Sequence, residues 1–235
     1  MLSLKLALMT DYIIFGATSG IGREIASSII GRGDRVISIS RSESGLEGSL
    51  HIPLDVTSGE VPVDQIPEAC AGFVYCPGTI NLRPFRSLKL KVFEEDMAIN
   101  FFGAVSAAKA CVPKLAKGKS SMVFFSTVAV QQGMPFHTSV ASAKGAIEGF
   151  SRALAAELAP DVRVNCIAPS LTDTPLASRL LGNDARRQAS EDRHPMKRVG
   201  KPSDIAEMAL FLLDKRASWI TGQVIGVDGG MSSLR

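Results

Sequence analysis

Residues 12–22 read YIIFGATSGIG. An apolar, β-branched run breaks into three glycines and leads directly into an amphipathic pattern that ends at Gly31. A strand, a glycine-rich turn and a helix in that order make the first βα unit of a parallel sheet. Gly16, Gly20 and Gly22 follow the spacing G-x-x-x-G-x-G, not the G-x-G-x-x-G of many dinucleotide folds. Glycines at such a turn let backbone N–H groups approach a pyrophosphate at the positive end of the helix. A plain tight turn is the competing explanation.

Outward from this unit, short apolar runs alternate with helical patterns. RVISIS (35–40), LHIPLD (50–55) and GFVYC (72–76) read as strands, and a long helix is expected from about Val92 to Lys117. SMVFFST (121–127) precedes a helix containing Lys144, and VRVNCIAP (162–169) follows it. PSDIAEMALFLLD (202–214) reads as an amphipathic helix opening on Ser203, with QVIGVDGG (223–230) as the last strand. The alternation predicts a single-domain, doubly wound α/β (Rossmann) fold over residues 1–235, its seven-stranded parallel sheet covered by helices on both faces. Stretches 41–50 and 57–71 are too short for full crossover helices. Residues 171–200, charged and helical, have no sheet role and read as a substrate flap.

Composition sets bounds on function. The 235 residues are 46% hydrophobic and 21% charged, enough for one large core. A net charge of +3 argues against nucleic acid or a membrane surface as partner. Cys70, Cys76, Cys111 and Cys166 form no CxxC pair and have no His at metal spacing, so reduced, mostly buried thiols are expected and no metal site. The N-terminal MLSLKLALM is short, carries Lys5 and lacks a cleavage site, so it does not read as a signal peptide. No apolar run approaches spanning length, and a cytoplasmic protein is expected.

The glycine spacing, LDV (54–56), YCPG (75–78), MAINFFGA (97–104), FFSTVA (124–129), the lysine of VASAK, NCIAPSLTDT (165–174), GKPSDIAEMALFLL (200–213) and ITGQVIGVDGG (220–230) together resemble the short-chain dehydrogenase/reductase family. The blocks run in the family's order over essentially the whole chain. The resemblance implies a nicotinamide dinucleotide and a small-molecule substrate. Gly16, Ser19, Gly20, Ile21 and Gly22 would wrap the pyrophosphate, and Asp55 and Val56 would flank the adenine. Gly78 would lie against the adenosine ribose, although YCPG departs from the family's Asn-Asn-Ala-Gly. Asn100 would offer its carbonyl to a water beside the lysine, and Lys144 would bind the nicotinamide ribose. Pro169, Leu171 and Thr174 would hold the carboxamide, with Ser170 in place of the usual glycine. The second strand ends in Ser40, Arg41 and Ser42. The missing acid and the added guanidinium favour NADP(H) over NAD. Small residues on the helices at 92–117 and 140–158 imply the family's four-helix bundle, and hence a homodimer or homotetramer.

One position breaks the pattern. The family's proton donor is a tyrosine four residues before the lysine, and here that residue is Val140. The two tyrosines, Tyr12 and Tyr75, belong to early strands out of reach. The helper hydroxyl maps onto Thr127, beside Ser126. Three explanations follow: a replacement acid such as His137; hydride delivery to an activated C=C or carbonyl, protonated from water and relayed by Lys144 and Asn100; or a non-catalytic NADP(H)-binding regulator. Retention of Lys144, Asn100, Thr127 and Thr174 favours a working, atypical reductase.

Overall fold

The computed structural model describes residues 9–117 and 120–234; of the N-terminal stretch read above, residues 1–8 lie outside them. Seven strands form one parallel sheet: β1 (Asp11–Phe15), β2 (Arg35–Ser40), β3 (Ser49–Pro53), β4 (Gly72–Tyr75), β5 (Ser120–Phe125), β6 (Val162–Pro169) and β7 (Val224–Val227). Their order is β3-β2-β1-β4-β5-β6-β7, so the winding reverses between β1 and β4. The central strands are buried on both faces, as their unbroken apolar runs require.

Helices cover both faces. They are α1 (Gly20–Gly31), α2 (Leu90–Met97), α3 (Gly103–Cys111), α4 (Ala129–Gln132), α5 (Thr138–Leu158), α6 (Asp184–Arg193) and α7 (Pro202–Leu213). On one face Ile25, Ile29, Ile205 and Leu210 of α1 and α7 pack on Ile14 and Val74. On the other, Ala104, Ala107, Ala108 and Ile147 of α3 and α5 pack on Phe15, Phe73 and Phe124. Small alanines there bring the helices close to three tilted aromatic rings. The segments before β3 and β4 contain only a 3-10 turn at Val63–Gln65, as their length predicts.

Two expectations need correction. The long helix begins at Leu90, two residues early, and is not uniform. Between α2 and α3 the residues Ala98–Phe102 adopt a π-helix, and past Cys111 only a 3-10 turn continues, because Pro113 offers no N–H to an α-helical ladder. Second, α7 opens at Pro202, not Ser203. Pro is preorganised for the first helical position, and the Lys201 N–H donates to Asp204 Oδ2 at 2.7 Å, so the aspartate supplies the cap. Among the described residues no helix is long and apolar enough to cross a membrane.

Candidate active site

A cavity of about 410 Å³ opens at the C-terminal ends of β1, β2 and β4. This is the switch point of the sheet, where open α/β folds take up ligands. Its floor is the glycine turn. Gly16 and Gly20 hold φ of +80° and +53°, which side chains disfavour. At Gly22 a Cβ would stand 2.2 Å from the Gly16 carbonyl oxygen, so only glycine fits. Ser19 makes no side-chain cap to α1, and the first turn carries no acid. The positive end of α1 therefore opens onto the cavity without a neutralising group.

The walls come from the residues singled out in sequence. Ser40, Arg41 and Ser42 form the rim beyond β2, with Asp55 and Val56 beside them. Ser40 donates its hydroxyl to the Ser42 carbonyl at 2.9 Å, so the hydroxyl hydrogen is already spent within the turn. Arg41 is exposed and has no ion pair among the described residues. Asp55 Oδ1 accepts from the Thr57 hydroxyl and N–H at 2.7 and 2.9 Å. Those bonds hold its carboxyl below the usual range. Thr174 forms the opposite wall, its methyl 3.2 Å from where a Gly20 Cβ would be.

Gly78 joins this cavity to a buried polar centre. It lines the cavity, and a Cβ on it would meet Asn100 Oδ1 at 3.2 Å and Lys144 Nζ at 3.4 Å. Lys144 is 9% exposed and donates to the Phe125 carbonyl at 2.9 Å. Burial pushes its ammonium down to about 8, while Cys166, Cys76 and Asp96 pull the other way. Val140, one turn earlier on α5, is buried and has no proton to give. Asn100 lies in the π-helical segment. Its amide donates to Thr79 Oγ1 at 2.7 Å and to the Asp96 carbonyl at 2.8 Å, so the side chain clamps the turn after Gly78.

The remaining candidates are less closely gathered. Thr127 stands half-buried at the end of β5, its Oγ1 accepting from the Ala129 N–H at 3.3 Å. Ser126 beside it is committed elsewhere, donating to Glu148 Oε1 at 2.7 Å. Pro169 and Leu171 do not line the cavity; Pro169 ends β6 and Leu171 follows it, the Pro169 carbonyl accepting from Val128 N–H at 3.1 Å. His137 precedes α5 with Nδ1 2.7 Å from the Pro135 carbonyl, which leaves Nε2 free of that bond. Tyr75 donates to the Ile99 carbonyl at 2.7 Å, and Tyr12 lies among Leu213 and Asp214. Neither phenol belongs to the Lys144 centre.

Sequence reasoning missed two features. Buried His194 has Nδ1 2.7 Å from the Ser190 carbonyl and Nε2 2.8 Å from Ser170 Oγ. A carbonyl only accepts, so Nδ1 carries a proton, and Ser170 Oγ lies between His194 Nε2 and the Asp228 carbonyl, 3.2 Å away. This pair ties the end of β6 to α6. The second is the carboxyl of Asp96, fully buried among Thr79, Asn81 and Asn100. The departure of YCPGTIN from the family's turn was the available signal.

The family profile described as Enoyl-(Acyl carrier protein) reductase matches residues 16–232. The chain belongs to the short-chain dehydrogenase/reductase family. Within the family, 2-(S)-hydroxypropyl-CoM dehydrogenase 3 of Xanthobacter autotrophicus is 30% identical over 94% of this chain and 96% of that protein. Peroxisomal 2,4-dienoyl-CoA reductase SPS19 of Saccharomyces cerevisiae is 35% identical over 64% of this chain, a match spanning 52% of that enzyme. The ligand-free aldohexose dehydrogenase of Thermoplasma acidophilum superposes with a TM-score of 0.90 at 29% identity, covering 97% of this chain and 95% of that one. An oxidoreductase with the short-chain dehydrogenase/reductase fold is thus the established frame.

Proposed function

We propose that this chain is an NADP(H)-dependent reductase that transfers hydride to an activated carbonyl or conjugated C=C of a small molecule, without a tyrosine proton donor. The observation that carries the reading is Gly78, which borders both the cavity over the glycine turn and the Lys144–Asn100 centre. A dinucleotide fits what is there: the uncapped α1 terminus and glycine turn for the pyrophosphate, and Arg41, with no acid at position 40, for a 2′-phosphate. Bound nicotinamide would supply the hydride. The Lys144 ammonium has donors left after its bond to Phe125 and would hold the ribose hydroxyls. Thr127 would donate to the substrate oxygen, and His137 Nε2 or water would supply the proton.

An electron-poor acceptor suits a site without a phenol, because stabilised negative charge needs less help from a positioned acid. The family profile and the SPS19 relative are both named for reduction of a C=C bond, which favours the conjugated acceptor. Residues 171–200, carrying α6, are proposed as the flap. Exposed Phe136, Leu176 and Met196 give its surroundings an apolar character.

The test is NADPH oxidation with a panel of enones, polarised carbonyls and plain ketones. Enones are expected to turn over and plain ketones to lag; Val140→Tyr should raise ketone activity by restoring donor and lysine at i, i+4 spacing. His137→Ala separates the donors: a loss of about 10²-fold in kcat assigns the histidine, and an unchanged rate assigns water. NADPH binding with no oxidation across the panel would overturn the reductase reading.

A further inference from the structure

Asp96 is fully buried and only one of its carboxylate oxygens is used. Oδ1 accepts from the Thr79 hydroxyl at 2.5 Å and from Asn81 Nδ2 at 2.7 Å. Oδ2 meets no donor among the described residues. Both contacts use the carboxyl as an acceptor, so neither needs a proton on it. The same network reaches Lys144: Thr79 Oγ1 and the Asp96 carbonyl accept from Asn100, whose Oδ1 flanks Gly78 on the side where Lys144 Nζ also sits. A second buried polar atom without a partner, Ser139 Oγ, belongs to α5, which packs against α2. Orphaned polar atoms in a buried helix pair are costly and call for a role.

We propose that Asp96 is the counter-charge of Lys144, a buried carboxylate held by Thr79 and Asn81 that keeps the lysine cationic where Val140 offers no ionisable neighbour. Three groups act against the desolvation of Lys144: Cys166 on β6, Cys76 beyond β4 and Asp96 on α2. Burial pushes both thiols up to about 12, so they are uncharged at neutral pH. Glu148, one turn along α5, is answered by Ser126 and lies 3.9 Å from Arg152. Asp96 is the one carboxyl of the three. An opposite charge near a buried ammonium favours its charged form. The consequence for cofactor binding rests on the reading of Lys144 as the ribose-holding group; the charge relationship does not.

Asp96→Asn keeps an oxygen for Thr79 and Asn81 while removing the charge. Lysine titration followed by NMR on the ¹³C-lysine-labelled apo protein, with Lys144→Met to assign the resonance, is expected to show the Lys144 midpoint falling by about one pH unit. Asp96→Ala, which removes the charge without adding an amide, should lower the same Lys144 midpoint, a readout that survives if Asp96→Asn fails to fold. Unmoved midpoints in both variants would overturn the proposal. NADPH affinity should drop about fivefold in Asp96→Asn near pH 8 and little near pH 6, as the cationic fraction dictates. Shifted midpoints with unchanged NADPH affinity would uphold the counter-charge and overturn the ribose role of Lys144.

Discussion

Lys144 Nζ donates to the carbonyl of Phe125 at 2.9 Å, a bond from the second turn of α5 to the last residue of β5. It fixes the ammonium two residues from Thr127 but does not neutralise it. Burial lowers Lys144 to about 8 from the ordinary 10.5. The folded apo protein thus holds fewer protons than the unfolded chain between those values, and its stability rises with pH across that window. Lys144→Met should abolish the rise, which is on the order of 3 kcal/mol. Denaturant melts of both proteins from pH 7 to 10.5 check this; parallel curves would contradict it.

Arg41 is the cofactor-selectivity prediction. Its exposed guanidinium stands on the rim of the cavity beside Asp55. Arg41→Ala should weaken NADPH binding by roughly 1.5–3 kcal/mol and leave NADH within a few tenths of its wild-type value. Nicotinamide fluorescence titrations measure both. Equal wild-type affinity for the two dinucleotides would remove the role assigned to the arginine.

Gly22 tests the floor of the cavity. A methyl there would lie 2.2 Å from the Gly16 oxygen, so Gly22→Ala must displace the turn at a cost of about 1–3 kcal/mol. The damage should fall on dinucleotide affinity more than on the sheet. A thermal melt within a few degrees of wild type, together with at least tenfold weaker NADPH binding, is the expected pair of results.

Assembly is predicted from α5, whose outward face presents Ser142, Gly145, Gly149, Ala153 and Ala156. Nothing lies within 4 Å of a Cβ built on Gly149, and Phe102 on the neighbouring helical segment is 59% exposed. Small residues permit close helix approach, and a homodimer, or a tetramer of two such dimers, would cover the face. Sedimentation at micromolar concentration should give a multiple of 25.0 kDa. Placing Arg at position 149 should shift that species towards the monomer.

How much of this was legible depended on which force wrote the signal. Burial on both faces produces continuous apolar runs, so RVISIS and SMVFFS announced their strands within a residue or two. Gly22 was equally plain, because a backbone clash tolerates no other side chain. Polar residues that fold inward leave no such mark. Asp96 lies in FEEDM, where two neighbouring glutamates are solvent-facing, and one acid in three being buried is decided by Thr79 and Asn81 across the gap. His194 was hidden for the same reason, inside the charged run EDRHPMKR. Asn100 was found, but for its carbonyl; the side chain's grip on the Gly78 turn depends on a helical register that periodicity alone does not carry.

That register has an arithmetic side. The Gly103 N–H reaches back five residues to the Ala98 carbonyl, so the helix holds one residue more than an α-helical ladder would accommodate over the same rise. Deleting a single residue between 98 and 102 would let the ladder close, and everything on its N-terminal side would turn by about 100° about the axis. Asp96 would swing away from Asn81 and Thr79 while every neighbouring side chain remained chemically intact. The loss of one codon inside this helix would thus dismantle the polar centre at a stroke, where a substitution on its outer face would leave the register untouched.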